Sequence, residues 1–449
     1  MAQRHGIAVA RERNAAVSPP ARSAERVAVI GAGYVGLTTA ACLAHLGHPV
    51  CCGDVDAAKV ARLRRGEVTI LEKGLPELVA TGLDSGRLCF ELGAGAAADE
   101  AAVAFLCVPT PRRPDGGADL SAMVAAAEEM GPVLARDAIV VNKSTAPAGS
   151  TCAVATALGR ADIAVVANPE FLREGHAVAD FLHPDRVVVG GSDLASARRV
   201  ADLYASLAAP VVVTDAASAE TIKYATNAFL ATKLSFANEL ADLCEATGAN
   251  VVDVLVGVGL DPRVGAGYLD PGPAWGGSCL PKDASALLYL AERAGADLAV
   301  LRAAVTSNER RPARIAARVR AAAGGSLDGV RIGVWGLTFK AGTSDRRSSP
   351  ALAICRRLLA AGATVHAYDP AVRSAIVELG TLAVVSDPYE ACKDAAVLAV
   401  LTEWSELREL DFAKVQELMA SPRIVDARNL LDPAPLRESG FAYVGVGGV

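Results

Sequence analysis

A lysine and an aspartate follow a cysteine within four residues in the stretch Trp275-Gly276-Gly277-Ser278-Cys279-Leu280-Pro281-Lys282-Asp283. The two glycines allow the backbone to approach a ligand closely. A cationic neighbour favours the thiolate, which is the nucleophilic form of cysteine. Taken alone, the stretch is more typical of a glycine-rich turn that holds a buried, inert cysteine. The rest of the chain favours the nucleophile, because nucleotide-type patterns stand both before and after this stretch.

A second pair of reactive side chains lies upstream, in a stretch with helical spacing. Lys223 and Asn227 are four residues apart within residues 218–247, which contain no Gly or Pro. Side chains at this spacing share one face of a helix. Considered without the rest of the chain, they are better explained as a solvated lysine beside an asparagine. The length of the stretch predicts a central connecting helix.

The region before this helix has the pattern of a dinucleotide site. A short apolar strand at residues 26–30 is followed at once by Gly31-Ala32-Gly33-Tyr34-Val35-Gly36 and then by an apolar helix. Asp54 ends the next strand. Glycines form the turn, the helix N-terminus binds the pyrophosphate, and the acid binds the ribose. Asp54 would repel a 2′-phosphate, and neither Val55 nor Asp56 supplies an arginine to bind one, so the pattern predicts NAD. The alternative is an ordinary turn residue at Asp54.

Three further apolar strands end in polar residues. Strands predicted at 104–108, 138–141 and 163–167 precede, respectively, Thr110, Thr145 and Glu170. In an open parallel sheet, ligands bind beyond the carboxyl ends of the strands. Each of these residues is therefore a site candidate, although each is also a common helix cap or turn residue. Strands at 187–190 and 211–213 are predicted to complete this domain.

A second βα region follows a Gly-Gly-Ser linker at residues 324–326. Strands are predicted at 330–335, 364–368, 396–401 and 424–425, with a helix beginning near Ser349-Pro350, where proline suits a first turn. Further helices are predicted for residues 251–258 and from Ala284 to about Ala323. The second βα region lacks a complete GxGxxG motif, so either it binds a nucleotide in another way or it binds none.

These patterns predict an α/β protein with two Rossmann-like, doubly wound domains, joined by a long central helix and a helical middle domain. The predicted divisions are a disordered tail at 1–24, an NAD-binding domain at 25–214, a helical dimerisation domain carrying Cys279 at 215–324, and a nucleotide-sugar-binding domain at 325–449. Residues 1–24 lack the continuous apolar region of a secretory signal; a transit peptide is the alternative to a tail.

Composition excludes several classes of function. The formal net charge of −6 argues against a nucleic-acid-binding protein. The ten cysteines include no CxxC pair, which predicts a reducing, cytoplasmic location and no metal site. No apolar run reaches the ~18 residues that a membrane-spanning helix needs, so we expect no membrane partner.

Six ordered motifs resemble the nucleotide-sugar 6-dehydrogenase family over about residues 25–435. In addition to the dinucleotide turn and the Lys223–Asn227 pair, the motifs are Asn168-Pro169-Glu170-Phe171-Leu172-Arg173-Glu174-Gly175, Gly276 to Asp283, Gly336 to Lys340, and Asp426-Ala427-Arg428-Asn429. The resemblance implies oxidation of a primary alcohol to an acid with two NAD⁺. Cys279 would capture the aldehyde as a thiohemiacetal, and hydride loss would give a thioester that water hydrolyses.

The resemblance also implies a role for each candidate. Lys223 and Asn227 stabilise the oxyanion, Asp283 with Thr145 orients the water, and Glu170 does acid–base work on the thioester. The catalytic candidates are thus Cys279, Lys223, Asn227, Asp283, Glu170 and Thr145. The NAD-binding candidates are Gly31, Gly33, Tyr34, Val35, Gly36, Asp54, Lys59, Thr110 and Glu174. The substrate-binding candidates are Phe171, Leu172, Arg263, Tyr268, Gly276, Lys282, Phe339, Lys340 and Arg428. Arg263 matches an arginine that reaches a neighbouring subunit's substrate.

Some positions differ from the family pattern and leave the substrate open. Trp275 stands where Phe or Tyr is usual, Ala427 replaces a common glycine, and residues 344–350 are a loosened acidic segment. The stretch at 181–186 favours UDP-glucose over GDP-mannose; dTDP-glucose and UDP-N-acetylhexosamines are the alternatives.

Two other classes of function are disfavoured. A two-electron dehydrogenase of 3-hydroxy acids needs no thiol. A non-catalytic NAD-binding protein would not need Lys223, Asn227, Cys279 and Asp283 together. Apolar residues on more than one face of residues 218–247 predict a homodimer at least.

Overall fold

The computed structural model describes residues 24–448, which form two compact units. The first unit comprises residues 24–111 and 118–223, and the second comprises residues 112–117 and 224–448. Apart from residue 24, the tail predicted for residues 1–24 lies outside the described residues.

The first unit is built on an eight-stranded sheet with the order β3-β2-β1-β4-β5-β6-β7-β8. Its strands are β1 Val27–Ile30, β2 Val50–Asp54, β3 Leu88–Leu92, β4 Val103–Leu106, β5 Ile139–Asn142, β6 Ala164–Ala167, β7 Val187–Gly191 and β8 Val211–Thr214. Neighbouring strands are parallel except β6 and β7, which are antiparallel. The chain order reverses between β1 and β4, and ligands of doubly wound sheets bind at such a reversal.

Helices cover both faces of this sheet. They are α1 Tyr34–His45, α2 Ala57–Arg64, α3 Leu75–Asp84, α4 Ala94–Ala98, α5 Ser121–Met130, α6 Ser150–Leu158, α7 Ala177–Leu182 and α8 Leu194–Asp202. Val27 and Val29 of β1 pack in the apolar core that contains α1. The alternate residues Ala28 and Ile30 pack in a second core with α4, α5 and α6. Burial on both faces explains why β1 is continuously apolar, and it confirms the doubly wound fold predicted for this region.

The long helix is also confirmed. Helix α9 runs over Ala216–Thr247, 32 residues without interruption. The helix reaches this length because Gly248 is the first helix-breaking residue after Ala216.

The second unit contains a six-stranded sheet and seven further helices. Its strands, in the order β11-β10-β9-β12-β13-β14 and all parallel, are β9 Arg331–Trp335, β10 Thr364–Tyr368, β11 Ala383–Val385, β12 Val397–Val400, β13 Arg423–Asp426 and β14 Ala442–Val444. Its helices are α10 Val251–Gly259, α11 Leu280–Arg293, α12 Ala299–Ala322, α13 Pro350–Ala360, α14 Pro388–Cys392, α15 Phe412–Leu418 and α16 Pro433–Glu438. The strand order repeats the Rossmann arrangement, as predicted.

Two features of the fold differ from the sequence prediction. Helix α11 begins at Leu280 rather than at Ala284, because Pro281 fits its first turn and Cys279 occupies the N-cap position. The short edge strands β3, β11 and β14 were not predicted. Two of them contain only three residues, too few to show a periodicity.

All three tryptophans of the chain lie in the second unit and are buried. Each indole nitrogen donates a hydrogen bond: Trp275 to Ser235 Oγ at 2.9 Å, Trp335 to the Pro388 carbonyl at 3.0 Å, and Trp404 to Asp369 at 3.2 Å. A buried indole N–H needs such a partner. Trp275 therefore packs against helix α9, to which it is joined through Ser235. Among the described residues, no helix has the length and apolar character to cross a membrane.

Candidate active site

The dinucleotide turn follows β1 in the first unit. Gly31 has φ +99°, and a Cβ there would lie 2.7 Å from the carbonyl oxygen of Cys107. A Cβ at Gly36 would lie 1.7 Å from the carbonyl oxygen of Gly31, so only glycine allows α1 to begin this close to the strand. Gly33 is exposed, and an added Cβ would meet nothing within 4 Å. The N-terminus of α1 is thereby left open to a phosphate.

Asp54 lies at the end of β2, where it contacts both the turn and Lys59. Its carboxylate accepts hydrogen bonds from the Ala32 N–H at 2.9 Å, the Asp56 N–H at 2.9 Å and Lys59 Nζ at 2.8 Å. Burial alone would raise the pKa of Asp54, but the Lys59 ammonium and the backbone N–H groups lower it below the usual value. Asp54 is thus an ionised acceptor beside the glycine turn. These residues fit a dinucleotide whose ribose hydroxyls are bound by a carboxylate.

Tyr34 and Val35 open helix α1, and both are half-buried. The Tyr34 hydroxyl donates to Glu72 and accepts from the Gly175 N–H. Burial, with the nearby Glu72 carboxylate, raises the pKa of Tyr34. Glu72 was missed by the sequence analysis, since it lies in a loop without a recognisable motif. Glu174 is half-buried in the loop between β6 and α7, next to Gly175.

Thr110 and Thr145 lie beyond the ends of β4 and β5, which are neighbours in the sheet. Thr110 Oγ1 donates to the Thr145 carbonyl at 2.7 Å. The structure therefore joins a cofactor candidate and a catalytic candidate through one hydrogen bond. The parallel register produces this contact, because strand ends meet along the same edge of a sheet.

Glu170 and Lys223 form a buried ion pair in the first unit. Lys223 Nζ lies 3.0 Å from Glu170 Oε1, and Glu170 Oε2 accepts from the Leu172 N–H at 2.7 Å. Burial opposes ionisation of Glu170, but Lys223 and the Leu172 N–H hold its pKa below the ordinary value. Lys223 Nζ also lies 5.4 Å from the centre of the Phe171 ring. Four candidates, Glu170, Phe171, Leu172 and Lys223, are thus in contact.

A further buried lysine stands near this pair and was missed as a candidate. Lys143 Nζ lies 3.2 Å from Asn168 Oδ1 and 3.4 Å from the Tyr204 hydroxyl. Burial lowers the pKa of Lys143, and its charge acts on Glu170 in the same direction as Lys223. The sequence signal was a lysine just beyond the predicted apolar strand at 138–141, at the carboxyl end of a strand where ligands of such sheets bind.

In the second unit, Cys279 stands at the N-cap of α11. Its carbonyl accepts the Asp283 N–H at 2.8 Å, and its half-buried Sγ lies 3.5 Å from Ser278 Oγ. The positive end of a helix dipole favours an anionic side chain. Helix N-termini are positions at which the pKa of cysteine thiols is lowered in other proteins.

Asp283 is completely buried one turn into α11 and has two side-chain donors. Asn227 Nδ2 donates to Oδ2 at 2.6 Å, and Lys282 Nζ donates to Oδ1 at 2.7 Å. Lys282, a substrate-binding candidate, therefore pairs with Asp283. Three candidates, Asn227, Lys282 and Asp283, form one hydrogen-bonded group.

Gly276 and Gly277 allow a close approach of two segments within the second unit. A Cβ at Gly276 would lie 2.2 Å from the Ser348 carbonyl oxygen, and one at Gly277 would lie 2.8 Å from the Phe339 ring. Gly277 also has φ +85°, which other residues rarely adopt. The structure thus explains both glycines by packing, and it brings the loop before Cys279 against Phe339.

Arg428 contacts the same region. Its guanidinium donates to the Phe339 carbonyl at 2.8 Å and to the Leu401 carbonyl at 3.1 Å, and it pairs with Glu403 at 3.0 Å. Lys340 Nζ lies 5.8 Å from the Phe339 ring centre. Phe339, Lys340 and Arg428 are therefore grouped, although they come from segments far apart in sequence.

Arg263 and Tyr268 lie in the loop between α10 and α11. Arg263 is 88% exposed and forms a forked pair with Asp261, at 2.6 Å for the closest atoms. Tyr268 is half-buried and has φ +61°. The contacts of Arg263 are with its own loop, in contrast to those of Phe339 and Arg428.

A cavity of about 850 Å³ in the second unit is lined by Trp275 and Pro281, which flank Cys279 in sequence, and by charged residues of both signs, including Arg346, Arg356 and Glu378. None of the site candidates lines it. Over residues 24–448, no group of three or more His, Cys, Asp or Glu side chains is arranged to hold a metal ion.

Three family models match consecutive segments of the chain. They are the NAD binding, central and UDP binding domains of the UDP-glucose/GDP-mannose dehydrogenase family, at residues 25–208, 217–310 and 333–433.

Similar proteins extend over nearly the whole chain. A UDP-glucose 6-dehydrogenase of Rhizobium meliloti is 44% identical over 433 residues, covering 94% of this chain and 99% of that protein. One of Pseudomonas aeruginosa is 41% identical over 440 residues, covering 94% and 97%. The solved structure of a UDP-glucose dehydrogenase from Pyrobaculum islandicum is 37% identical, with a TM-score of 0.88 over 97% of this chain and 100% of that one.

Proposed function

This chain belongs to the UDP-glucose/GDP-mannose dehydrogenase family, and we propose that it is an NAD-dependent UDP-glucose 6-dehydrogenase. It would oxidise the C6 alcohol of the sugar to a carboxylate and so convert UDP-glucose to UDP-glucuronate. The observation that carries this chemistry is the position of Cys279 at the N-cap of α11, one turn before the buried Asp283. A two-electron alcohol dehydrogenase needs no nucleophile at such a place.

The proposed substrate rests on the named relatives and on the third matched segment. Relatives that are 44% and 41% identical to this chain carry the name UDP-glucose 6-dehydrogenase. The segment at residues 333–433 matches a UDP binding domain and contains Phe339, Lys340 and Arg428. A lysine and an arginine suit a diphosphate, and an aromatic ring suits a base or a sugar face. We assign the nucleotide sugar to these residues, with Gly276, Phe171 and Leu172 beside the sugar.

The cofactor site would be formed by the glycine turn, Asp54, Lys59 and Thr110. Bound NAD⁺ supplies the hydride acceptor for each of the two oxidations. Asp54 would bind the adenosine ribose, because its carboxylate is ionised and held by the Ala32 N–H. Thr110 and Thr145 lie at the strand ends, where the reactive part of a dinucleotide binds in this type of sheet.

Covalent capture by Cys279 would link the two oxidations. The thiolate attacks C6 of the aldehyde, a C–S bond forms, and the carbonyl π bond opens to an alkoxide that takes up a proton. Loss of hydride from C6, together with release of the hydroxyl proton, would then restore the carbonyl as a thioester. Lys223 and Asn227, one turn apart on α9, are the groups that we assign to the C6 oxygen, where negative charge develops.

Hydrolysis would complete the reaction. Water adds to the thioester carbonyl and gives up its protons, the C–S bond breaks with Cys279 leaving as the thiolate, and the sugar carboxylate is released. We assign orientation of this water to Asp283 and Thr145, and acid–base work to Glu170. In the structure Glu170 pairs with Lys223, and Asp283 with Asn227 and Lys282, so the carboxylates are held in fixed orientations before substrate binds.

We also propose that the protein acts as a homodimer in the cytoplasm. Three apolar side chains seven residues apart on α9, Phe229, Phe236 and Leu243, are 66%, 53% and 56% exposed. Seven residues are nearly two helical turns, so the three form one apolar stripe. A second copy of the chain is the partner that would cover it, and Arg263, exposed on its loop, would then reach the partner's substrate.

The test is NADH release from a panel of UDP-, dTDP- and GDP-sugars by the purified protein. We expect UDP-glucose to give the highest kcat/KM and to yield two NADH per sugar consumed. A yield of one NADH would contradict the four-electron reaction. A higher kcat/KM with dTDP-glucose or a UDP-N-acetylhexosamine would keep the chemistry but reject the substrate.

A further inference from the structure

Two cysteines outside the candidate site lie directly opposite each other on neighbouring strands. Cys51 of β2 and Cys89 of β3 are Cα partners in the parallel register. Adjacent strands are about 4.7–4.9 Å apart, which falls within the Cα separation of about 4.4–6.8 Å that a disulfide allows. Because the two residues are in register, their side chains lie on the same face of the sheet.

The surroundings make this pair accessible. Strand β3 is at the edge of the sheet, Cys89 is exposed and Cys51 is half-buried. The closeness of the two thiols raises the pKa of Cys51 and lowers that of Cys89. Arg26 and Arg64 further favour the Cys89 thiolate, against burial and Glu91. Cys89 is therefore the thiol that a small electrophile would meet first.

We propose that Cys51 and Cys89 form a reversible disulfide when the protein meets a hydroperoxide. The Cys89 thiolate attacks one peroxide oxygen, the O–O bond breaks, and the leaving hydroxide takes a proton to become water. The resulting sulfenic acid is then attacked by Cys51, the S–O bond breaks, and a second water leaves. Two thiols are oxidised to one disulfide, and one hydrogen peroxide is reduced to two waters.

The bridge would enclose residues 52–88 in a covalent loop. This segment contains Asp54 and Lys59 of the proposed NAD site, and Glu72, which contacts Tyr34. Capture of the sulfenic acid by Cys51 would also protect Cys89 from irreversible oxidation to a sulfinic acid. Cellular thiols would reverse the bridge by exchange, as for other disulfides of reducing compartments.

Peptide mapping tests the proposal without reference to activity. The intact protein is treated with hydrogen peroxide, alkylated, digested and sequenced by tandem mass spectrometry. We expect the peptides of Cys51 and Cys89 to be linked, and the link to disappear with dithiothreitol. Recovery of Cys89 as sulfinic acid with Cys51 still alkylated would overturn the proposal.

Variants of single cysteines assign the bridge. Cys89→Ser should abolish the linked peptide, and Cys51→Ser should leave a sulfenic acid on Cys89 that dimedone labels. Cys52→Ala is the matched control, because Cys52 neighbours Cys51 but points to the opposite, fully buried face. If Cys52→Ala removes the link, or if Cys51→Ser gives no dimedone label on Cys89, the proposed pairing and order of attack are wrong.

Discussion

The ammonium nitrogen of Lys223 lies 3.0 Å from a carboxylate oxygen of Glu170, and the two side chains are 5% and 6% exposed. Removing one member of a buried ion pair leaves an uncompensated charge, whereas replacing both members removes the problem. We therefore expect Lys223→Met and Glu170→Gln to destabilise the protein, each by about 3 kcal/mol. The double variant should recover much of this stability but none of the activity.

Urea unfolding and NADH release together check this prediction. If the double variant is no more stable than the single variants, the destabilisation of the single variants does not come from an unpaired buried charge. If Glu170→Gln keeps normal kcat, Glu170 has no acid–base role, whatever its effect on stability.

The fall of the free energy of unfolding in acid should also depend on Glu170. Its pKa in the folded protein is lowered, with Lys223 outweighing burial. A carboxyl with a lowered folded pKa stabilises the protein above its unfolded pKa, about 4.3, and this contribution is lost as the pH falls through the folded pKa. In Glu170→Gln, stability should therefore fall less between pH 5 and pH 3 than in the wild type. Glu128→Gln, at an exposed position, is the control and should follow the wild-type profile.

Cys279→Ala should separate the two oxidations. Without the thiol, the aldehyde cannot become a thioester, so acid formation should fall by several orders of magnitude. The first hydride step should survive in reverse, and the variant should still reduce a supplied nucleotide-sugar aldehyde with NADH. Cys279→Ser should behave similarly or accumulate a slowly hydrolysed ester. Acid production by Cys279→Ala at a near-normal rate would reject covalent catalysis.

Asp54 should determine the choice of cofactor. We expect a much higher kcat/KM for NAD⁺ than for NADP⁺, and Asp54→Ala should raise KM for NAD⁺ about tenfold or more, since a charged hydrogen bond is lost. Its kcat should change little, because the ribose is remote from the hydride. Lys59→Met, which removes the partner of Asp54 but keeps the carboxylate, should have a smaller effect on KM. Equal kcat/KM values for the two cofactors would refute the assignment of Asp54.

The apolar stripe of α9 gives a test of assembly. Phe229→Glu combined with Phe236→Glu should yield a monomer in sedimentation, because two charges would be placed in the proposed interface. Val377→Glu introduces a charge at a residue that is 89% exposed and not part of α9, and it should leave the dimer intact. A wild-type protein that sediments as an active monomer would contradict both the dimer and the role of Arg263 in the partner's site.

The elements that position the site could be predicted from sequence because each has a local signal. The glycine turn after β1, the apolar strands and the uninterrupted helix α9 all follow from spacing and from helix-breaking residues. The strand ends also follow, which is why Thr110, Thr145 and Glu170 were identified before any contact was known.

The pairing of these side chains could not be predicted in the same way. Glu170 and Lys223 are 53 residues apart, and only the packing of a loop against α9 brings them together. Lys282 pairs with Asp283, because α11 begins at Leu280 and places both side chains in its first turn. Lys143 was missed since its burial depends on Asn168 and Tyr204, which reach it from other elements.

The placement of Trp275, Trp335 and Trp404 has a consequence for spectroscopy. Excitation at the red edge of the protein absorption band selects tryptophan emission. Because all three tryptophans lie in the second unit, this emission does not report on the glycine turn or on Asp54. A melting curve followed by this emission therefore describes the second unit alone. Far-ultraviolet circular dichroism samples both halves, and non-coincident curves from the two methods would reveal that the chain melts in more than one step.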